Sequence, residues 1–229
     1  MSVENNWVYY VALGVAIESL PPGEESTLLS AEQRAVRNWL QANMSNRGLR
    51  EEPDRVKALD VYTHALLAGP AAHLDFGIEP PAVAEWARAH IGELERLFQL
   101  AGTPAFDYTD AAERKRIGRE PAAWLEGTEQ VVVAYETWAA WFERYGDLVF
   151  AQELRMKAQL AHTYVTGYAL RSDGWLAIPN TNAAESFLAF EDGWPTRPKS
   201  EPALNSTNWA YFAETRYNPF TTPILPHRR

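Results

Sequence analysis

The clearest pattern in the chain is a run of apolar positions three and four residues apart. Over residues 128–145 these are Val131, Ala134, Tyr135, Trp138, Trp141, Phe142 and Tyr145, which fall on one helical face and need cover. Gly146 suits the left-handed position that stops a helix, and Asp147 suits the cap of the next. A second helix is predicted from Asp147 to about Leu170, with Leu148, Ala151, Leu154, Ala158, Ala161, Val165 and Tyr168 at helical steps. Joined by almost no loop, the two make an antiparallel helical hairpin.

Upstream the same reading predicts more helix. Ser30 and Gln33 have capping-box spacing, starting a helix that runs to Arg47 and stops at Gly48. Pro53 fits the first turn of another, whose Val56, Leu59, Tyr62, Thr63, Leu66 and Leu67 share a face before Gly69 and Pro70 break it. From Pro81 to Ala101, the residues Val83, Trp86, Ala87, His90, Leu94, Leu97 and Phe98 form an amphipathic stripe closed by Gly102 and Pro104. Residues 7–20 begin with strand-favouring Trp-Val-Tyr-Tyr-Val, yet Val11, Val15 and Glu18 also fit a helix, which is the reading preferred. Short helical turns are expected at 110–117 and 120–126, and one short strand at 174–178. The fold expected is mainly α: a helical bundle over residues 1–194, followed by an extended C-terminal arm.

That arm, residues 195–229, is set apart by composition. It holds six of the fifteen prolines, at 195, 198, 202, 219, 223 and 226, which argues for extended chain rather than a long helix. Trp209, Tyr211, Phe212, Tyr217 and Phe220 are too aromatic for a disordered spacer, so the arm wraps its own body or docks on a partner. These five are the partner-binding residues the sequence offers. Charge divides the same way: of the net −9, residues 1–194 carry −12 and the arm +3. An acidic body lacks the clustered Lys and Arg that bind phosphate backbones, so direct sequence-specific nucleic-acid binding is not expected. The chain has no Cys, which excludes disulfides, thiolate nucleophiles and Cys-ligated metals. The N-terminal apolar run is shorter than the ~20 residues that span a bilayer and lacks a basic signal-peptide start. A cytoplasmic protein without a membrane partner is the expectation.

Candidate chemistry is thin. His90 and Glu93 have an i, i+3 spacing that places two metal ligands on one helix face, but His90 falls in the apolar stripe, where a hydrogen-bonded core histidine is the plainer reading. His64 and His73 flank the Gly69-Pro70 break with Asp75 close by, without a nucleophile on a sharp turn to make a catalytic set. Glycine-rich phosphate loops are absent. Arg114, Lys115, Arg116 and Arg119 cluster beside Asp110, Glu113 and Glu120, reading as a solvated face. Trp138, Trp141 and Phe142 have the spacing of a packed core. Asn43 and Asn205 begin glycosylation-type triplets taken as chance. No catalytic, cofactor-binding or metal-binding residue is assigned.

The stretch Ala139-Ala140-Trp141-Phe142-Glu143-Arg144-Tyr145-Gly146-Asp147, the Ala-spaced helix after it and the trailing arm together resemble the head-to-tail adaptor (connector) proteins of tailed bacteriophages. That resemblance implies a structural assembly protein, a homo-oligomer that forms a ring with other assembly proteins and grips neighbours with its C-terminal arm, in a virion assembled in the host cytoplasm. Its alternative is an all-helical enzyme or ligand-binding protein, with a metal held by His90, Glu93 and further carboxylates; a third reading is a regulatory module whose arm is a peptide ligand.

Overall fold

The computed structural model describes residues 3–43, 57–75, 77–172, 175–189 and 195–221. In chain order its elements are α1 (Val3–Ser19), α2 (Glu24–Asn43), α3 (Leu59–Leu67), α4 (Gly69–Asp75), α5 (Pro80–Phe98), α6 (Ala111–Arg116), α7 (Leu125–Arg144), α8 (Leu148–Thr166), β1 (Leu170–Ser172), β2 (Trp175–Ala177) and α9 (Leu204–Thr215). The protein is a mainly α helical bundle. None of the described helices is long and apolar enough to cross a membrane.

The 3.6-residue stripes are covered as their spacing requires. Trp138, Tyr135 and Phe142 of α7 are fully buried, and α7 packs along α8 in an antiparallel hairpin. Gly146 turns the chain at a φ of 85°, where an L side chain would be strained, and the Asp147 carboxylate accepts the Phe150 N–H at 3.1 Å. On the other side, α1 and α2 form a second antiparallel pair. The helix preferred for residues 7–20 is present as α1, with Trp7, Tyr10 and Leu13 buried.

Between these pairs lies α3, and all nine of its residues are buried. It meets α7, α1 and α5. A helix enclosed on every side has no water for its carbonyls, and four of them take donors from outside the helix. The Nε2 of His90 on α5 is 3.2 Å from the Tyr62 carbonyl, and the Nε2 of His73 on α4 is 3.4 Å from that of Ala65. Trp138 Nε1 of α7 donates to the Leu66 carbonyl at 2.9 Å, and Asn218 Nδ2 donates to the Leu67 carbonyl at 2.8 Å.

Several local expectations are corrected. α2 begins at Glu24 rather than at a Ser30 capping box: Ser30 lies mid-helix with its hydroxyl donating to the Ser26 carbonyl, and Gln33 donates to the Tyr10 carbonyl instead of reaching back. The Arg47–Gly48 stop, Pro53 and Val56 lie outside the described residues. Gly69 breaks α3 as expected, at a φ of 74°, but a further helix, α4, starts there. Residues 120–124 are not helical; α7 starts directly at Leu125. The strand at 174–178 has a partner that the sequence reading assigned to helix, since α8 ends at Thr166 and Leu170 pairs with Ala177.

The largest correction concerns the arm, which is not extended chain throughout. Between Pro202 and Pro219 the proline-free stretch coils into α9, which ends at Arg216 in the left-handed conformation (φ 53°). α9 lies against α7 and α8, with Ala213 in the main core and Ala210 in a smaller second core with Leu125, Val165 and Ile178. Beyond it, Asn218 is buried against α3 and α7, bonding both the Leu67 carbonyl and the Thr137 hydroxyl. Asn218→Ala leaves the Leu67 carbonyl unpaired and is expected to destabilise the fold by about 1–3 kcal/mol. Tyr211→Ala, on the exposed side of α9, should change stability by no more than about 0.5 kcal/mol. Urea unfolding followed by circular dichroism checks both.

Candidate functional site

α9 packs small residues inward, so its aromatic residues divide between the two sides. Trp209 and Phe212, with Phe220 beyond the helix, pack partly buried against the main core, and Phe220 stacks on His64 at 5.1 Å between ring centroids. Tyr211 and Tyr217 face solvent. Of the five arm aromatics read from the sequence, three hold the arm to its own body and two remain on the surface.

Beside the docked arm runs an open groove of about 910 Å³ between α7, α8 and the end of α9. Its floor is apolar, from Val132, Ala158 and Ala213, and one wall is the outward face of α8. Along that face Val149, Met156 and Leu160 follow one another at helical steps and are 81%, 57% and 55% exposed. Gln152, Gln159 and Thr163 flank the same stripe, and Glu153 lies within it, one turn from Val149 and from Met156. The flanking charges are engaged within the chain: Arg155 with Glu136 (3.1 Å) and Glu143 (2.7 Å), Lys157 with Glu95 (2.8 Å) and Glu153 (2.7 Å).

At one end of the groove, His162 of α8 ties three helices together. Its Nδ1 lies 2.9 and 3.0 Å from the two carboxylate oxygens of Glu129 on α7, and its Nε2 lies 3.1 Å from Glu214 on α9. With both carboxyls ionised, each ring nitrogen donates to one of them and the group is an imidazolium. The hydrogen bond donated to Glu129 accordingly raises the His162 pKa, against an opposing effect of burial. Glu129 has no exposed surface, and that burial raises its own pKa while the bond from His162 pulls it down. Spaced 33 and 52 residues from its partners, His162 carries no local sequence signal.

The other histidines are elsewhere. His90 stacks between Trp86 (4.7 Å) and Tyr62 (4.9 Å), while Glu93 pairs with Lys57 and Arg96, both at 3.3 Å. The two do not converge on a common point, and among the described residues no three His, Asp or Glu side chains are placed to hold a metal. His73 sits against Trp86 at 3.9 Å, whereas His64 rests on Phe220, so the pair drawn around Gly69 separates into different environments. The basic cluster also divides. Lys115 and Arg116 are exposed, but Arg119 and Arg114 turn inward to Asp107, at 2.5 and 3.6 Å, with only 1% of that carboxylate side chain exposed. The solvated face expected there is half a buried ion-pair network.

Opposed pKa shifts set the pH response. Burial lowers His64 and His90 to about 4 and His73 to about 3, so each is neutral when folded and takes up a proton on unfolding below pH 6.5. Stability is therefore lost as pH falls from 6.5 toward 4, by about 1.4 kcal/mol per pH unit for each such group. His162 has the other sign: its stabilisation is complete below pH 6.5 and is lost as pH rises through its folded pKa. Thermal melting from pH 4 to 9 should give a maximum near neutrality. His162→Gln should flatten the alkaline side only, and His73→Phe should make the acid side shallower. No protein-family model, curated protein or solved structure matches this chain.

Proposed function

We propose that the protein is a non-enzymatic assembly subunit that meets further copies of itself through the outward face of α8. The observation that supports this reading is the stripe of Val149, Met156 and Leu160, large apolar side chains left in water on one helix face beside an apolar-floored groove. A contiguous apolar patch of this kind is the mark of a contact surface. A second copy is the occupant that fits. Glu153 within the stripe is paired with Lys157, and Arg155 and Lys157 each hold two carboxylates, so two such faces meet with their ionic groups already bonded and with a residual negative charge that salt screens.

The setting proposed is the one implied by the α7–α8 resemblance, a connector ring of a tailed bacteriophage assembled in the host cytoplasm. In this reading Tyr211 and Tyr217 are what the docked arm offers a neighbour, while Trp209, Phe212 and Phe220 keep it on its own body. Light scattering coupled to size exclusion tests the proposal on the full chain. A mass at a multiple of 25.8 kDa is expected, falling to that value in Val149→Glu/Met156→Glu with an unchanged helical spectrum. A wild-type chain that stays monomeric at high micromolar concentration overturns it.

A further inference from the structure

At the other end of α9 from the groove, a second concavity of about 710 Å³ opens between α3, the start of α7, the loop at Asn180 and the beginning of α9. Its volume lies within the range of small-molecule sites. Helical spacing builds it: Asp60 and His64 are one turn apart on α3, Glu126 and Gln130 one turn apart on α7, and all four line the cavity. Trp124 and Trp209 bring two indoles to the same lining.

The polar groups here are set in definite states. The Asp60 carboxylate accepts from its neighbour Val61 N–H at 2.9 Å and from the Tyr108 hydroxyl at 3.0 Å. The Thr63 hydroxyl shares its proton between the Gln130 side-chain oxygen at 2.8 Å and the Asp60 carbonyl at 3.1 Å, with the Gln130 NH₂ turned away from Thr63. Gln130 makes no other side-chain hydrogen bond among the described residues. Asn180 is held by its backbone, whose carbonyl accepts from Leu125 N–H at 2.9 Å. Its side chain lines the cavity, the residue is only 8% exposed, and its amide oxygen has no hydrogen-bond partner among the described residues. A buried amide of this kind is costly unless something bonds it.

We propose that this pocket binds a small neutral polyhydroxylated ligand of the sugar or polyol class. Each hydroxyl both donates and accepts, and the lining carries acceptors on Asp60, Glu126 and Asn180 beside donors on Gln130 and Arg197. The apolar C–H face of such a ligand has indole to lie against. Other classes match less well. An anion would find one cation, Arg197, against the two carboxylates of Asp60 and Glu126, an organic cation would meet Arg197 and the Gln130 donors, and a hydrocarbon would bury all of these groups unbonded.

Saturation-transfer NMR and calorimetry on the full chain test the pocket, with glucose, galactose, N-acetylglucosamine, trehalose, myo-inositol and glycerol as probes, and betaine, spermidine and phosphate as charged controls. At least one neutral probe should bind. Gln130→Glu, which keeps an acceptor for Thr63 and removes the donor, should weaken that probe about tenfold or more, as should Asn180→Leu. Both variants are to retain wild-type circular dichroism, and Gln130→Glu carries the test alone if Asn180→Leu does not fold. Binding by none of the neutral probes, preference for a charged control, or affinity unmoved by Gln130→Glu overturns the assignment.

Discussion

A helix buried on every side must have its carbonyls bonded by protein, and in this fold that requirement falls on α3. Its own ladder bonds most of its backbone groups, but the later carbonyls and the second lone pair on Tyr62 need outside donors. They come from His90, His73, Trp138 and Asn218, one each from α5, α4, α7 and the arm. The bundle is thus organised around a helix that its neighbours complete chemically as well as cover. The same arrangement explains the two buried histidines. A neutral imidazole donating to a carbonyl is useful there, and an imidazolium would be desolvated, which keeps their pKa values low.

How far the sequence disclosed this depends on whether the relevant signal was local. The α7–α8 hairpin was legible because its stripe, its stop at Gly146 and its cap at Asp147 are adjacent in the chain and act within a turn or two. α9 was not, because its prolines lie outside it. Pro202 and Pro219 bracket a proline-free window, and the helix that fills it packs by small residues, Ser206, Ala210 and Ala213, instead of by a broad apolar stripe. Ser30 misled for a related reason. A hydroxyl that can cap a helix can equally fold back on the carbonyl four residues earlier once the helix has begun upstream.

Electrostatic partners were the least legible. Arg114 and Arg119 look solvated beside acidic sequence neighbours, yet they enclose Asp107. His162, Glu129 and Glu214 belong to three different helices. Within the fold, these paired charges lie close to exposed apolar surface: Arg155 and Lys157 each hold two carboxylates along α8, and beside them Val149, Met156 and Leu160 remain in water. One helix face is therefore open to apolar contact while the other sides of the same hairpin are closed by the core and the arm.

The bond from Asn218 to Leu67 spans 151 residues, and this has a consequence for biosynthesis. At about 5–20 residues per second, the partner of that carbonyl is made roughly 8–30 seconds after the carbonyl itself. Through that interval the emerging chain has the hairpins it can form locally, but its central helix lacks its last donor and the Phe220 ring that stacks on His64. Completion of the fold is therefore a late event tied to translation of the arm. A ribosome that stops before Asn218 releases a chain whose central helix ends on an unpaired carbonyl, a weak point in the fold for chaperones and proteases to act on.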